Sequence, residues 1–134
     1  MLRRIKMRLA QRRDTKKVAQ LFRELDHNLS LKDLVDLIQN KRVVLFKKKQ
    51  KTLGAFSFAK IGIGIFTLLY VRKLVVDKEF RRRGLGGRML KKLARFAHRR
   101  RADGFFLWSR ASAKSFYRKN KLKSWWRIFW KWVD

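Results

Sequence analysis

Between residues 66 and 101 an apolar run, a cluster of glycines and arginines, and a helical pattern follow one another. Phe66 to Val76 is nearly continuous apolar sequence of the kind that forms a central, buried strand. It closes with Leu74-Val75-Val76-Asp77-Lys78-Glu79-Phe80 and passes into Arg81-Arg82-Arg83-Gly84-Leu85-Gly86-Gly87-Arg88. From Gly84 to about Arg101, Leu85, Met89, Leu93, Phe96 and Ala97 fall on one helical face. Lys91, Lys92, Arg95, Arg99 and Arg100 fall on the other. Such a chain must pack at least one helix against a sheet. The junction also has a chemistry. The first N–H groups of a helix lack intrahelical partners and sit at the positive end of the helix dipole. A glycine-rich turn lets an anion approach them, and three arginines beside it favour a phosphate or pyrophosphate.

The rest of the chain alternates in the same manner. Ile5 to Leu9 alternates basic and apolar residues and suits a half-exposed strand, although the first eight residues share the Arg-rich, acid-poor look of an organellar presequence. Asp14 or Thr15 is placed to cap a helix with Val18, Leu21, Phe22 and Leu25 on one face. Ser30 and Asp33 form a capping-box pattern ahead of Leu31, Leu34, Val35 and Ile38. Arg42 to Phe46 and Thr52 to Ala59 read as strands joined by the Lys47–Lys51 turn, and Ile61-Gly62-Ile63-Gly64 as a turn or bulge. Asp103-Gly104 ends the long helix, Phe105 to Trp108 is a short strand, Ser112 to Asn120 a short helix, and Leu122 to Val133 one aromatic-rich strand. The expected fold is a single mixed α/β (α+β) domain over residues 1–134, with helices against a mostly antiparallel sheet.

Charge narrows the partners. The chain has 38 Lys and Arg against 9 Asp and Glu, a formal net charge of +29 over 134 residues. Solubility alone asks for only about +2 to +8 in a small domain. The excess points to an anionic partner, nucleic acid ahead of membrane, because unscreened self-repulsion destabilises a compact chain. The longest uncharged run, Ile61 to Val71, is too short to span a bilayer. There is no cysteine, which excludes disulfides, thiolate zinc sites and cysteine nucleophiles. We read no metal ligand set. A cytoplasmic location is expected, with an organellar matrix as the alternative.

The element order, with Arg81-x-x-Gly84-x-Gly86 after the long strand, resembles the GNAT superfamily of acyl-CoA-dependent N-acyltransferases. Leu74-x-Val76 followed by Phe80-Arg81 is similar to that family's strand end and aromatic-basic lead-in. Met7-Arg8-Leu9-Ala10 with Asp14 is similar to its opening strand and first helix. Ala113-x-x-Phe116-Tyr117-Arg118-Lys119 is similar to its later aromatic-Tyr helix. The resemblance implies acetyl-CoA as co-substrate. Backbone amides from Arg82 through Leu85, Gly86, Gly87 and Arg88 would hold the pyrophosphate, with Arg81, Arg82 and Arg83 supplying charge. Leu74, Val75 and Val76 would bond the pantetheine arm as an added strand. Tyr117 would protonate the leaving thiolate. The chain departs from the family pattern at Arg110, where Asn is usual, and at Lys121-Leu122, where Gly and an aromatic are usual. No acid lies on Phe66 to Val76, and one C-terminal strand stands where the family has two.

Two functions follow. The first is an acetyl-CoA-dependent N-acetyltransferase acting on a primary amine of a nucleic-acid-associated acceptor, such as an aminoacyl-tRNA or a ribosome-bound protein. The alternative is a non-catalytic protein of the same fold that binds RNA or serves in the ribosome. Trp125, Trp126, Trp130 and Trp132, interleaved with Arg127 and Lys131, suit base stacking or a buried strand face equally.

Overall fold

The computed structural model describes residues 5–81, 84–109, 113–125 and 127–133. In chain order the elements are β1 (Lys6–Leu9), α1 (Thr15–Phe22), α2 (Leu31–Gln39), β2 (Val43–Lys48), β3 (Lys51–Ile63) and β4 (Phe66–Val76). They continue with α3 (Leu85–Arg99), β5 (Gly104–Trp108), α4 (Lys114–Lys119), β6 (Lys123–Trp125) and β7 (Ile128–Trp132). The strands are hydrogen-bonded in the order β1-β2-β3-β4-β5-β7-β6, which puts the long apolar β4 in the middle. β1–β2, β2–β3, β5–β7 and β6–β7 are antiparallel, while β4–β5 is parallel because α3 carries the chain back between them.

By contact the chain divides into two units, Met1–Phe58 with Lys73–Gly86, and Ala59–Arg72 with Gly87–Asp134. In the first, α1 turns Val18, Ala19, Leu21 and Phe22 inward, and α2 turns Leu34 and Ile38. These join Ala10, Val43, Leu45, Ala55 and Val75 in one core. In the second, the buried residues include Leu69 and Val71 of β4, Met89, Leu90, Leu93 and Ala97 of α3, with Phe105, Leu107, Tyr117 and Phe129.

Turn chemistry explains where the elements stop. Lys41, Arg101 and Lys121 all adopt left-handed φ, near 60–66°, just past the ends of α2, α3 and α4. Each closes a Schellman motif: Arg42 N bonds Leu37 O, Ala102 N bonds Ala97 O, and Leu122 N bonds Tyr117 O. A basic residue performs the task usually given to glycine, at the negative end of the helix dipole where its charge is favourable.

Several local expectations are corrected. Asp14 places no side-chain hydrogen bond on α1. Its carboxylate instead accepts from the Gln11 N–H at 2.7 Å and from both Arg8 terminal nitrogens at 2.7 and 3.0 Å. Ser30 does cap α2, through the Asp33 N–H at 3.4 Å. β3 runs through Ile63, so the turn falls at Gly64-Ile65 rather than at 61–64. The C-terminal segment is two strands, not one, with Trp125 paired to Ile128 and Lys123 to Trp130.

Two carboxylates tie the first unit together. Hydrogen bonds from Arg8 hold the Asp14 carboxyl below its ordinary range, with the Gln11 N–H and the charges of Arg8 and Lys47 outweighing burial. Burial pushes Asp77 up, but the Lys17 ammonium at 2.6 Å, the Glu79 N–H and the charge of Arg81 bring it below its ordinary value. A depressed folded-state pKa stabilises the fold above the unfolded value and is lost as pH falls through the folded one. Urea midpoints are therefore expected to hold steady from neutral pH to about pH 5 and to decline below about pH 4. Asp77→Asn should be less stable than wild type at pH 7 and show a shallower acid decline.

Candidate functional site

Within the first unit, β4 ends at Val76, and Asp77 N bonds Leu53 O at 2.8 Å. Asp77 then caps a single 3-10 turn, Lys78–Phe80, by accepting from the Glu79 N–H. The chain reaches Arg81 extended, and Gly84 takes a left-handed φ of +72° before α3 starts at Leu85. A side chain at Gly84 would meet nothing within 4 Å, so it is backbone conformation that selects glycine there, and open space lies beside it. Leu85 is buried and anchors the first turn, while Gly86 is half-buried.

Arg81 is not loose at this junction. Its Nε donates to Val76 O at 3.0 Å, and its guanidinium pairs with Glu24 in the segment after α1. The strand end, Leu74 to Val76, and the turn are thus tied by the arginine expected to supply charge. Glu24, which had no assigned partner, is the residue that sequence reasoning missed. Nothing local could have found a pair 57 residues apart. Arg82 and Arg83 lie outside the described residues.

Within the second unit, α3 continues with Gly87, half-buried, and Arg88, exposed. A Cβ on Gly87 would come within 2.9 Å of Asn120 Oδ1. Asn120 ends α4 and donates its own amide to Phe116 O at 2.9 Å. Gly87 therefore makes room for the end of α4 against the first turn of α3. α4 carries Tyr117, which is buried, with ring centres 5.3 Å from Phe116 and 5.3 Å from Phe129. Burial pushes the Tyr117 phenol up, so it remains a proton donor at neutral pH. Lys121 stands where the resemblance expected glycine, and it adopts the left-handed conformation that glycine would. Arg110, the other departure, lies outside the described residues.

Among the described residues no group of three or more His, Asp or Glu is gathered to hold a metal ion, and no helix is long and apolar enough to cross a membrane. Chemically the described residues offer helix-start amides after a left-handed glycine, and a protonated phenol.

Comparison with known proteins gives the geometry its context. Fold matches include NAA60 of Arabidopsis thaliana in complex with a bisubstrate analogue, at TM-score 0.80 and 12% identity, covering 97% of this chain and 98% of that one. Ard1 of Thermoplasma volcanium aligns at TM-score 0.78 and 15% identity, covering 97% and 98%. The PaiA N-acetyltransferase of Thermoplasma acidophilum in complex with coenzyme A aligns at 0.76 and 14%, covering 96% and 99%. No curated protein matches by sequence. A family model for the acetyltransferase (GNAT) domain matches residues 39–121, from the end of α2 to the end of α4. That match covers more than half the chain, and with the strand order, the left-handed glycine and the helix start in place, the chain belongs to the GNAT acetyltransferase family.

Proposed function

We propose that this chain is an acetyl-CoA-dependent N-acetyltransferase whose acceptor is a primary amine on a nucleic-acid-associated molecule, such as an aminoacyl-tRNA or a ribosome-bound protein. The observation that carries the first half is the strand–Gly84–α3 junction within the family match. Amides from Arg82 through Arg88, with the charges of Arg81, Arg82 and Arg83, would hold the pyrophosphate. β4 pairs with β5 over Leu68–Val71 and runs on to Val76, so Leu74, Val75 and Val76 have backbone to offer the pantetheine arm. Bound acetyl-CoA supplies a thioester whose carbonyl carbon an amine attacks as the C–S bond breaks. Tyr117 gives its phenolic proton to the departing sulfur, a role that suits a phenol kept protonated by burial. β4 carries no carboxylate, so the nitrogen loses its proton to solvent, from which the Tyr117 phenolate is reprotonated.

The second half rests on charge. A net +29 repels lysine-rich peptides and draws acceptors carried on polyanions. The cofactor half is tested by thermal shift. Acetyl-CoA at a hundred times a micromolar-range Kd should stabilise wild type by about 2.7 kcal/mol, a rise in Tm of several degrees. Gly86→Val, which puts a branched side chain on the first turn, should lose that rise while melting cooperatively. Equal shifts in both proteins would sink the assignment.

A further inference from the structure

The second unit carries a groove lined by none of the residues assigned to acetyl-CoA or to proton transfer. The C-terminal half of α3 and the end of β7 flank an open groove of about 310 Å³, lined by Arg95, His98, Arg99, Lys131 and Trp132. The ion pairs among the described residues join Arg8–Asp14, Lys17–Asp77, Lys73–Asp26 and Arg81–Glu24, and none takes a cation of this groove. Trp132 is 45% exposed, and its ring centre lies 5.0 Å from that of Phe66, itself 42% exposed. Up the same helix, Arg88, Lys91, Arg95 and Arg99 are all exposed at near-helical spacing. They form a cationic stripe about 16 Å long.

A concave pocket that combines unpaired cations with an exposed, ring-backed indole matches the two needs of a nucleotide, a charged backbone and a flat base. We propose that this groove binds single-stranded nucleic acid. Arg95, His98, Arg99 and Lys131 meet the phosphates, Trp132 backed by Phe66 stacks on a base, and the stripe to Arg88 tracks the backbone. The inference rests on the reading of the excess charge as a nucleic-acid footprint, and it gives that footprint a location.

The test is binding of a short oligouridylate by the full chain at several salt concentrations. Trp132→Ala should weaken binding about tenfold, the scale of one lost stacking contact. Arg95→Gln with Arg99→Gln keeps good helix formers on an exposed face and should flatten the slope of log K against log salt by about 1.4. Lys16→Gln with Lys32→Gln removes the same charge from exposed positions on α1 and α2 and should change the slope far less. If that control pair weakens binding as much as the groove pair, the groove is wrong although the nucleic-acid reading stands. If wild type binds no oligonucleotide, both fall. Binding to anionic vesicles instead, abolished by Ile65→Ser at the exposed β3–β4 turn, would assign the surface to lipid and overturn the proposal. The acetyl-CoA thermal shift is read separately, so failure here leaves the cofactor assignment untouched.

Discussion

Tyr117→Phe is expected to lower turnover about 10²-fold with acetyl-CoA affinity little changed. The substitution keeps the ring and its neighbours Phe116 and Phe129 and removes only the hydroxyl. That hydroxyl has no hydrogen-bond partner among the described residues, so its loss breaks no structural bond and stability should barely move. A drop in kcat with unchanged KM and unchanged Tm therefore reports chemistry rather than packing. Burial raises the phenol above its ordinary value, so the acid stays loaded through the neutral range, and any alkaline loss of rate due to it lies above about pH 10. An acceptor must first be found by screening tRNA-linked and ribosomal amines. Full activity in Tyr117→Phe would remove the role. A wild type inert toward every acceptor, yet binding RNA tightly and salt-sensitively, would favour the non-catalytic alternative.

Gly104→Ala should be the most damaging small substitution in the second unit. Gly104 opens β5 and pairs with Trp132 of β7. A Cβ there would lie 2.4 Å from Lys131 O and 3.2 Å from Trp132 Cα, both backbone atoms that cannot swing aside. The two strands must part, and we expect a loss of about 3 kcal/mol, or ~10 °C in Tm. Because β7 carries Lys131 and Trp132, oligouridylate binding should weaken with it. Gly62→Ala is the matched control, since its Cβ would meet nothing within 4 Å. Equal Tm values for the two alanine variants would show that β5 and β7 do not meet this closely.

Patterns carried within one element were legible in the sequence. β4 occupies the predicted residues, and α3 buries Leu85, Met89, Leu93 and Ala97 of its predicted apolar face, with Leu90 added and Phe96 only half-buried. Ser30 caps α2 as the capping box implied. Readings failed where the signal lay in a residue of the wrong type or far along the chain. The β6–β7 hairpin was invisible because the sequence between Trp125 and Ile128 carries none of the Gly or Asn that marks a tight turn. Lys41, Lys49, Arg101 and Lys121 take left-handed φ without being glycine, yet the Lys47–Lys51 turn and the helix ends near Arg101 and Asn120 were legible from the charge runs and the change of pattern. Asp14 read as a helix cap because its true partner, Arg8, sits on a neighbouring strand. The site divided along the same line. The glycine turn was readable as a motif, but the Arg81–Glu24 pair and the meeting of α3 with β7 depend on tertiary pairing.

The clearance at Gly87 has a mechanical meaning. With Asn120 Oδ1 only 2.9 Å from the vacant Cβ position, the start of α3 and the end of α4 share one steric boundary. The boundary on the α4 side is a side-chain amide, held by its own bond to Phe116 O, and Tyr117 lies one turn back from Asn120. Were the proposed anion to press on Gly87, the contact would link it to the end of α4, and any such linkage is reciprocal in free energy. A longer side chain at 120 would then reach the proposed phosphate site from the α4 side, without itself being part of it.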